Sequence, residues 1–290
     1  MKRLWMAASC LMIANASEAK AQPAFVTALS RPTNRMVLHG KDVPWVKVYE
    51  WEEGGKRFNA WPGDTMKVPP YAAQMRLQLF TFPTGALRHL MFVAGDKTPV
   101  HINMQDIAIY SQSGSQTETV NDISDIGSAG DASYHPVGVK HSSVTHTDAE
   151  RDEFAFRPQA GGGDRAVFAK QVATPLRPFA TLLKSGRVTV VSGAEAAMAS
   201  APSRYRARIF EFPNYTLHHV YYPVGYVLPL HENMAEQLVY VVKGHLSVTI
   251  GAIKDEVYSG DMHRMVAGAD FAVAAKAPTE LLMINATRTP

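Results

Sequence analysis

Residues 76–138 of this chain repeat as residues 206–268, with no gap between the copies. Gly95, Pro99, His101, Asn103 and Met104 fall on Gly225, Pro229, His231, Asn233 and Met234, so His231 follows His101 by 130 positions. At the same shift Arg76, Phe80, Phe82, Pro83, Leu87 and His89 fall on Arg206, Phe210, Phe212, Pro213, Leu217 and His219. Tyr110, Gly114, Gly130, Asp131 and Gly138 fall on Tyr240, Gly244, Gly260, Asp261 and Gly268. An ordered series of Gly, Pro, His and aromatic matches in one register is a tandem duplication, and it requires two copies of one fold.

Each copy reads as short strands. Runs such as Val46–Trp51 and Met75–Phe82 alternate or are apolar, and Gly54-Gly55, Pro62-Gly63 and Pro69-Pro70 punctuate them. Long stretches of 3.6-residue periodicity are absent, so the expected class is all-β, a pair of barrels or sandwiches. Hydrophobic content of 46% allows two real cores. A net charge of +3 with scattered Lys and Arg does not fit a nucleic-acid partner.

The N-terminus has the layout of a secretory leader. Met1-Lys2-Arg3 is basic, residues 4–14 are apolar, and Ala19-Lys20-Ala21 is a cleavage-type triplet. The expectation is a signal peptide over 1–21 and a secreted or periplasmic product without stable membrane insertion. Cys10, the one cysteine, lies in the leader, so disulfides and thiolate metal sites are not expected. The expected domains are 22–145, a first barrel with a leading arm, and 171–290, a second barrel. Between them 146–170 reads as a linker, from the polar run Asp148–Glu153 and Gly161-Gly162-Gly163.

The motif spacing carries the functional reading. Gly95-x5-His101-x-Asn103-x3-Ile107-x6-Gly114 and Gly130-x5-Pro136-x-Gly138-x2-His141 resemble the two cupin motifs, G-x5-H-x-H-x3-E-x6-G and G-x5-P-x-G-x2-H-x3-N, with Thr145 at the final Asn. The second copy gives Gly225-x5-His231-x-Asn233-x3-Gln237-x6-Gly244, then Gly260-x5-Val266-x-Gly268-x2-Phe271. The resemblance to a bicupin covers most of the chain after about residue 45. It implies two tandem jelly-roll β-barrels, each with an interior site whose usual ligands are three histidines and a glutamate. It also implies pairing of copies as homodimers.

This chain departs from that ligand set. The first barrel reads His101, Asn103, Ile107 and His141; the second reads His231, Asn233, Gln237 and Phe271. Two imidazoles and an amide oxygen hold a divalent ion (Fe, Mn, Zn or Ni) less firmly than three imidazoles and a carboxylate. His101, Asn103 and His141 are therefore the candidate metal ligands. His135 and Gln105 are candidate substrate contacts beside them. His101, Asn103, Gln105 and Ile107, two apart along one strand, are expected to share a face. His89 and His219 are expected to line the barrels as proton carriers or extra contacts, with Arg88 and His218 pointing away. His231, Asn233 and Gln237 form either a polar substrate pocket or the remnant of a lost site.

Three readings stay open. One is a metal-dependent enzyme acting on a small oxygen-rich molecule, by dioxygenase, lyase or isomerase chemistry, with catalysis at His101, His141 and His89. Another is a non-catalytic small-molecule binder. The last is a structural bicupin with vestigial sites. No G-x-S-x-G, G-x-x-x-x-G-K or H-E-x-x-H motif occurs, which argues against a serine hydrolase, a nucleotide enzyme and a zincin.

Overall fold

A computed structural model describes residues 35–103, 105–156, 187–192, 204–212 and 215–286. The leader, the cleavage triplet and most of the expected linker lie outside the described residues. The chain divides into two units, one holding Trp45 to Phe156 and the other holding residues 35–44 together with those from Arg187 onward.

The strands are β1 (Val37–Leu38), β2 (Val46–Glu53), β3 (Lys56–Ala60), β4 (Ala73–Thr81), β5 (Gly85–Phe92), β6 (Lys97–Ile102), β7 (Ile107–Ser113) and β8 (Ser115–Val120). They continue with β9 (Ile123–Ser128), β10 (Ala132–His135), β11 (Lys140–Thr145), β12 (Ala149–Phe156), β13 (Arg187–Ser192), β14 (Arg204–Glu211) and β15 (Tyr215–Tyr222). The last seven are β16 (Val227–Glu232), β17 (Gln237–Lys243), β18 (His245–Ile250), β19 (Ile253–Tyr258), β20 (Met262–Met265), β21 (Asp270–Ala275) and β22 (Thr279–Ala286). From β5 to β12 every strand recurs in β15 to β22 with both ends displaced by the duplication's shift. The repeat read from the letters is a repeat of structure.

Each unit pairs a seven-stranded sheet with a four-stranded one, all contacts antiparallel. In the first unit the orders are β10-β7-β12-β5-β4-β2-β3 and β6-β11-β8-β9. In the second they are β1-β20-β17-β22-β15-β14-β13 and β16-β21-β18-β19. This is the jelly-roll arrangement that the resemblance implies: two sheets face each other and bury alternate residues of each strand.

The motif glycines have a steric reason. Gly114 has φ of 75°, and a Cβ there would lie 2.3 Å from the carbonyl oxygen of Asp148. Gly244 repeats it, at φ of 107° with the oxygen of Pro278 2.5 Å from such a Cβ. Only glycine turns the chain into the next strand at this approach.

Two boundary expectations need correction. The polar run Asp148–Glu153 is mostly strand β12, hydrogen-bonded between β5 and β7, and not a linker. Its charges belong to the barrel, as described below. The arm expected with the first barrel lies, over residues 35–44, with the second unit. There β1 extends the sheet at β20, and Val37 enters the core. The Gly40 N–H and His39 Nδ1 donate to the two oxygens of Asp261 at 2.8 and 2.9 Å. No described helix is long and apolar enough to cross a membrane.

Candidate functional site

The first barrel carries a polar interior. Strand β6 delivers His101 and β11 delivers His141 as direct cross-strand partners. Their rings lie 4.0 Å apart between centroids. Each ring is oriented by its own strand: His101 Nδ1 donates to Pro99 O at 2.8 Å and His141 Nδ1 to Val139 O at 3.0 Å. That fixes one tautomer in both, with the proton on Nδ1 and the Nε2 lone pair free for another partner. Asn103 sits just past the end of β6 and is buried; its Nδ2 donates to His141 Nε2 at 3.1 Å. Its Oδ1 is buried without a partner.

His135, at the end of β10, packs on His141 with centroids 4.3 Å apart and donates from Nε2 to Glu118 at 3.0 Å. Glu118 in turn accepts from Arg151 Nη1 at 3.0 Å, and Arg151 Nη2 donates to Glu153 at 2.6 Å. Arg88 closes on the other oxygen of Glu153 at 2.6 Å. Glu50 of β2, buried, and Arg57 of β3, half-buried, form a further pair. The resulting cavity of about 30 Å³ has Met75, Leu77, Leu90 and Phe92 as its apolar lining. Its polar lining is Glu50, Arg57, Arg88, Thr98, His101, Asn103, His141, Arg151 and Glu153.

The electrostatics follow from this arrangement. Burial drives the His101 pKa well below its ordinary value, and the Arg57 charge lowers it further. Burial does the same to His141, helped by its neighbours His135 and His101. Both imidazoles are therefore neutral, electron-pair-bearing bases at physiological pH. Burial alone would raise the Glu118 pKa, but His135 and Arg151 hold it down at about 2. Burial likewise opposes the ionised form of Glu153, and the charges of Arg88 and Arg151 outweigh it. The interior thus keeps fixed ionised carboxylates and guanidiniums beside two neutral histidines.

These residues meet part of what a divalent ion requires. His101 Nε2 and His141 Nε2 are oriented donors of the right type, and the unpartnered Asn103 Oδ1 is a third once its amide turns away from His141. Ile107, at the place of the usual glutamate, is buried and apolar. Asp106 faces elsewhere, accepting from the Val137 N–H at 2.8 Å. Among the described residues no group of three His, Cys, Asp or Glu side chains is arranged to hold a metal. The fit is to a neutral three-donor set that leaves coordination positions for oxygen atoms of a ligand.

Several expected contacts lie elsewhere. His89 is not in this cavity. Arg88, Leu90 and Phe92 line it, so His89 occupies the opposite face of β5, reversing the expected parity. There His89 donates to Asp152 at 2.8 Å and to Glu150 at 3.0 Å. Burial would lower its pKa, but the two carboxylates overcome this and raise it to about 9. Gln105 falls in the turn between β6 and β7 and does not line the cavity. One strand does not carry all four motif-one positions: β6 ends at Ile102 and β7 begins at Ile107.

The second barrel is filled. Val239, Val241, Leu246, Val248, Val257, Met265, Phe271, Val273 and Leu281 belong to one buried apolar cluster. Phe271 stands at the position of His141 and meets His231 edge-on, centroids 5.9 Å apart. His231 is exposed. Asn233 is buried, and its Nδ2 is spent on the carbonyls of Ala235 and Val266. Gln237 is half-buried at the start of β17, its Oε1 without a partner. His219 lies 3.5 Å from Glu280, and the barrel face of its strand belongs to Val220 and Tyr222. With His231 exposed and the Asn233 amide bonded to backbone, His231, Asn233, Gln237 and His219 are not assembled as His101, Asn103 and His141 are.

Sequence reasoning missed Glu50, Arg57, Arg88, Glu118, Arg151 and Glu153. The one available signal was Arg151-Asp-Glu153, charges two apart at a repeat position matching the buried Leu281 and partly buried Met283 of the second copy.

No protein-family model matches the chain, and no curated protein matches it. Solved structures do. AerE from Microcystis aeruginosa superposes with a TM-score of 0.58 at 12% identity, over 77% of this chain and 96% of that one. An oxalate decarboxylase from Bacillus subtilis, studied for its Mn(II) centres, gives 0.58 at 14% identity, over 90% and 79%. A Lactobacillus farciminis oxalate decarboxylase in complex with formate gives 0.57 at 13% identity, over 89% and 88%. At such identities the likeness is one of fold.

Proposed function

We propose that this chain, a bicupin by fold, is an exported metal-dependent enzyme. Its working site is the first barrel, its substrate is a small oxygen-rich organic acid, and its second barrel is structural. Lyase chemistry is favoured over dioxygenase or isomerase chemistry, because oxalate decarboxylases stand among the structural neighbours. The observation that carries the reading is the pair His101 and His141. Both are locked in one tautomer by backbone carbonyls, and both rings line a buried cavity with Arg57, Arg88 and Arg151. His101, His141 and Asn103 would hold the ion, and a bound divalent ion polarises a ligand's carboxyl oxygen as a Lewis acid. The arginines would orient the acid's carboxylate, and the apolar wall of Met75, Leu77, Leu90 and Phe92 would keep bulk water out. The Phe271-filled interior of the second barrel supports a scaffolding role there. The leader pattern of residues 1–21 supports export, testable by cell fractionation.

Elemental analysis of the purified, metal-supplemented protein tests the reading. One divalent ion per chain, lost in both His101→Ala and His141→Ala, is the expected result; no retained metal under any supplementation would sink it. A second reading, a non-catalytic receptor for small acids, is favoured by the Asn103 amide that caps His141 Nε2. In that case acid binding would be the same with and without added metal.

A further inference from the structure

The first-barrel cavity is lined by residues that carry buried polar atoms the protein itself leaves unmet. Arg57 Nε and Arg151 Nε are buried donors without a partner. Glu50 Oε2 and Asn103 Oδ1 are buried acceptors without a partner. The buried Thr98 hydroxyl, which can donate or accept, also has no partner, and all five residues line the same space. Buried polar groups are nearly always bonded, so unmet groups of both kinds around one cavity define the complement an occupant must bring. Water can supply it, and an organic ligand that displaces the water must reproduce the same bonds. The volume of about 30 Å³ admits about two or three water-sized groups, which limits the ligand to a few heavy atoms.

Glu50 discriminates among such ligands. It is 1% exposed; Arg57 holds its Oε1, and its Oε2 is left over. An ionised carboxylate only accepts hydrogen bonds, so the ligand atom opposite Oε2 must donate. A dicarboxylate offers acceptors alone and would set like charges against each other. A simple monocarboxylate satisfies an arginine and leaves Glu50 unmet. A zwitterion could donate its ammonium. However, three guanidiniums, Arg57, Arg88 and Arg151, line the cavity against two carboxylates, Glu50 and Glu153, which favours a net anion over a neutral molecule. We propose that the cavity selects small α-hydroxy acids: the carboxylate receives the arginine N–H groups, and the hydroxyl donates to Glu50. Glu50 is then a specificity-determining residue of the site. The proposal rests on the reading of the first barrel as the working site, and it departs from the dicarboxylate that the neighbours' names suggest.

Isothermal titration of the purified protein, with and without Mn²⁺, against glycolate, acetate, oxalate and glycine tests it. Glycolate is expected to bind once per chain, about tenfold or more tighter than each of the others, the gap that one hydrogen bond to a charged group supports. In Glu50→Gln the gap between glycolate and acetate should shrink to about threefold or less, since the amide can donate as well as accept and no longer repels an anion. Equal or tighter binding of oxalate or glycine by the wild-type protein overturns the proposal and leaves the first-barrel site standing. A gap that survives in Glu50→Gln overturns it too. Failure of all four ligands to bind removes the first-barrel reading itself, and the proposal with it. The wild-type series decides the matter alone if Glu50→Gln does not fold.

Discussion

Arg151 is the junction of the buried charge network, and its replacement should be the most destabilising single change in the first barrel. Its guanidinium bonds Glu118, Gln116 and Glu153 and lies over the Phe92 ring at 4.7 Å. The side chains of Arg151, Glu118 and Glu153 are 8%, 10% and 7% exposed, so solvent screens these pairs little. Arg151→Met keeps length and volume but takes one partner from each of two buried carboxylates, leaving Glu118 to His135 and Glu153 to Arg88. Breaking a buried pair from one side costs about 3–5 kcal/mol. Trp45, Trp51 and Trp61 lie in the first unit and the second barrel has no tryptophan, so fluorescence during urea unfolding reports on the first unit. The expected result is a loss of about 3–5 kcal/mol in that transition. The pH dependence gives a second handle. Glu118 is held at about 2 against an ordinary 4.5, so its contribution of about 3 kcal/mol is present above pH 4.5 and lost as pH falls towards 2. In Arg151→Met that loss on acidification should be smaller, because His135 and Ser133 remain but the Arg151 charge is gone. A variant within about 1 kcal/mol of wild type would refute the claim that the network is dry and tightly coupled.

Three further outcomes follow from particular contacts. His89 is raised from 6.5 to about 9, so its stabilisation is complete below pH 6.5 and disappears as pH rises through 9. His89→Phe should therefore remove about 3 kcal/mol of alkaline-sensitive stability, read by urea unfolding between pH 6 and 10, while leaving ligand binding in the first cavity intact. Gly114→Ala meets both a positive φ and a carbonyl 2.3 Å away, and should lose about 2 kcal/mol or more in thermal melts. Gly55→Ala, with φ of 72° and open space, should lose only about 1 kcal/mol. Phe271→His should destabilise the second barrel by about 2–4 kcal/mol and still create no metal site, because Asn233 is tied to Val266 and Ala235. Elemental analysis of that variant checks the second half of this expectation.

The repeating frame was legible because its markers are local. Gly114 and Gly244 are marked by a positive φ in their own turns, and the spacing between His101 and His141 places them opposite each other once the barrel forms. The contrast between His141 and Phe271 was legible for the same reason, and it separates a polar interior from an apolar one. The charge network was hidden because its members come from β2, β3, β5, β8 and β12, strands adjacent only after folding. The parity of β5 was hidden by its histidine: Arg88, not His89, turns inward, where Glu153, its cross-strand neighbour on β12, pairs with it. The run Asp148–Glu153 resembled a solvated linker since charge usually marks exposure. Here Arg151 and Glu153 compensate each other inside the barrel. The arm's place in the second unit depends on Asp261, more than 200 residues away, capturing Gly40 and His39.

The proposed working site is in the first barrel because, among the described residues, His101 and His141 present oriented imidazoles to a polar cavity, whereas His231, held by Pro229 O in the same way, is exposed. Titration of Mn²⁺ into the wild-type protein, His101→Ala and His231→Ala tests it most directly. The account expects one site per chain in the wild type, its loss in His101→Ala and its retention in His231→Ala. Two sites per chain, or loss of binding in His231→Ala, would contradict it.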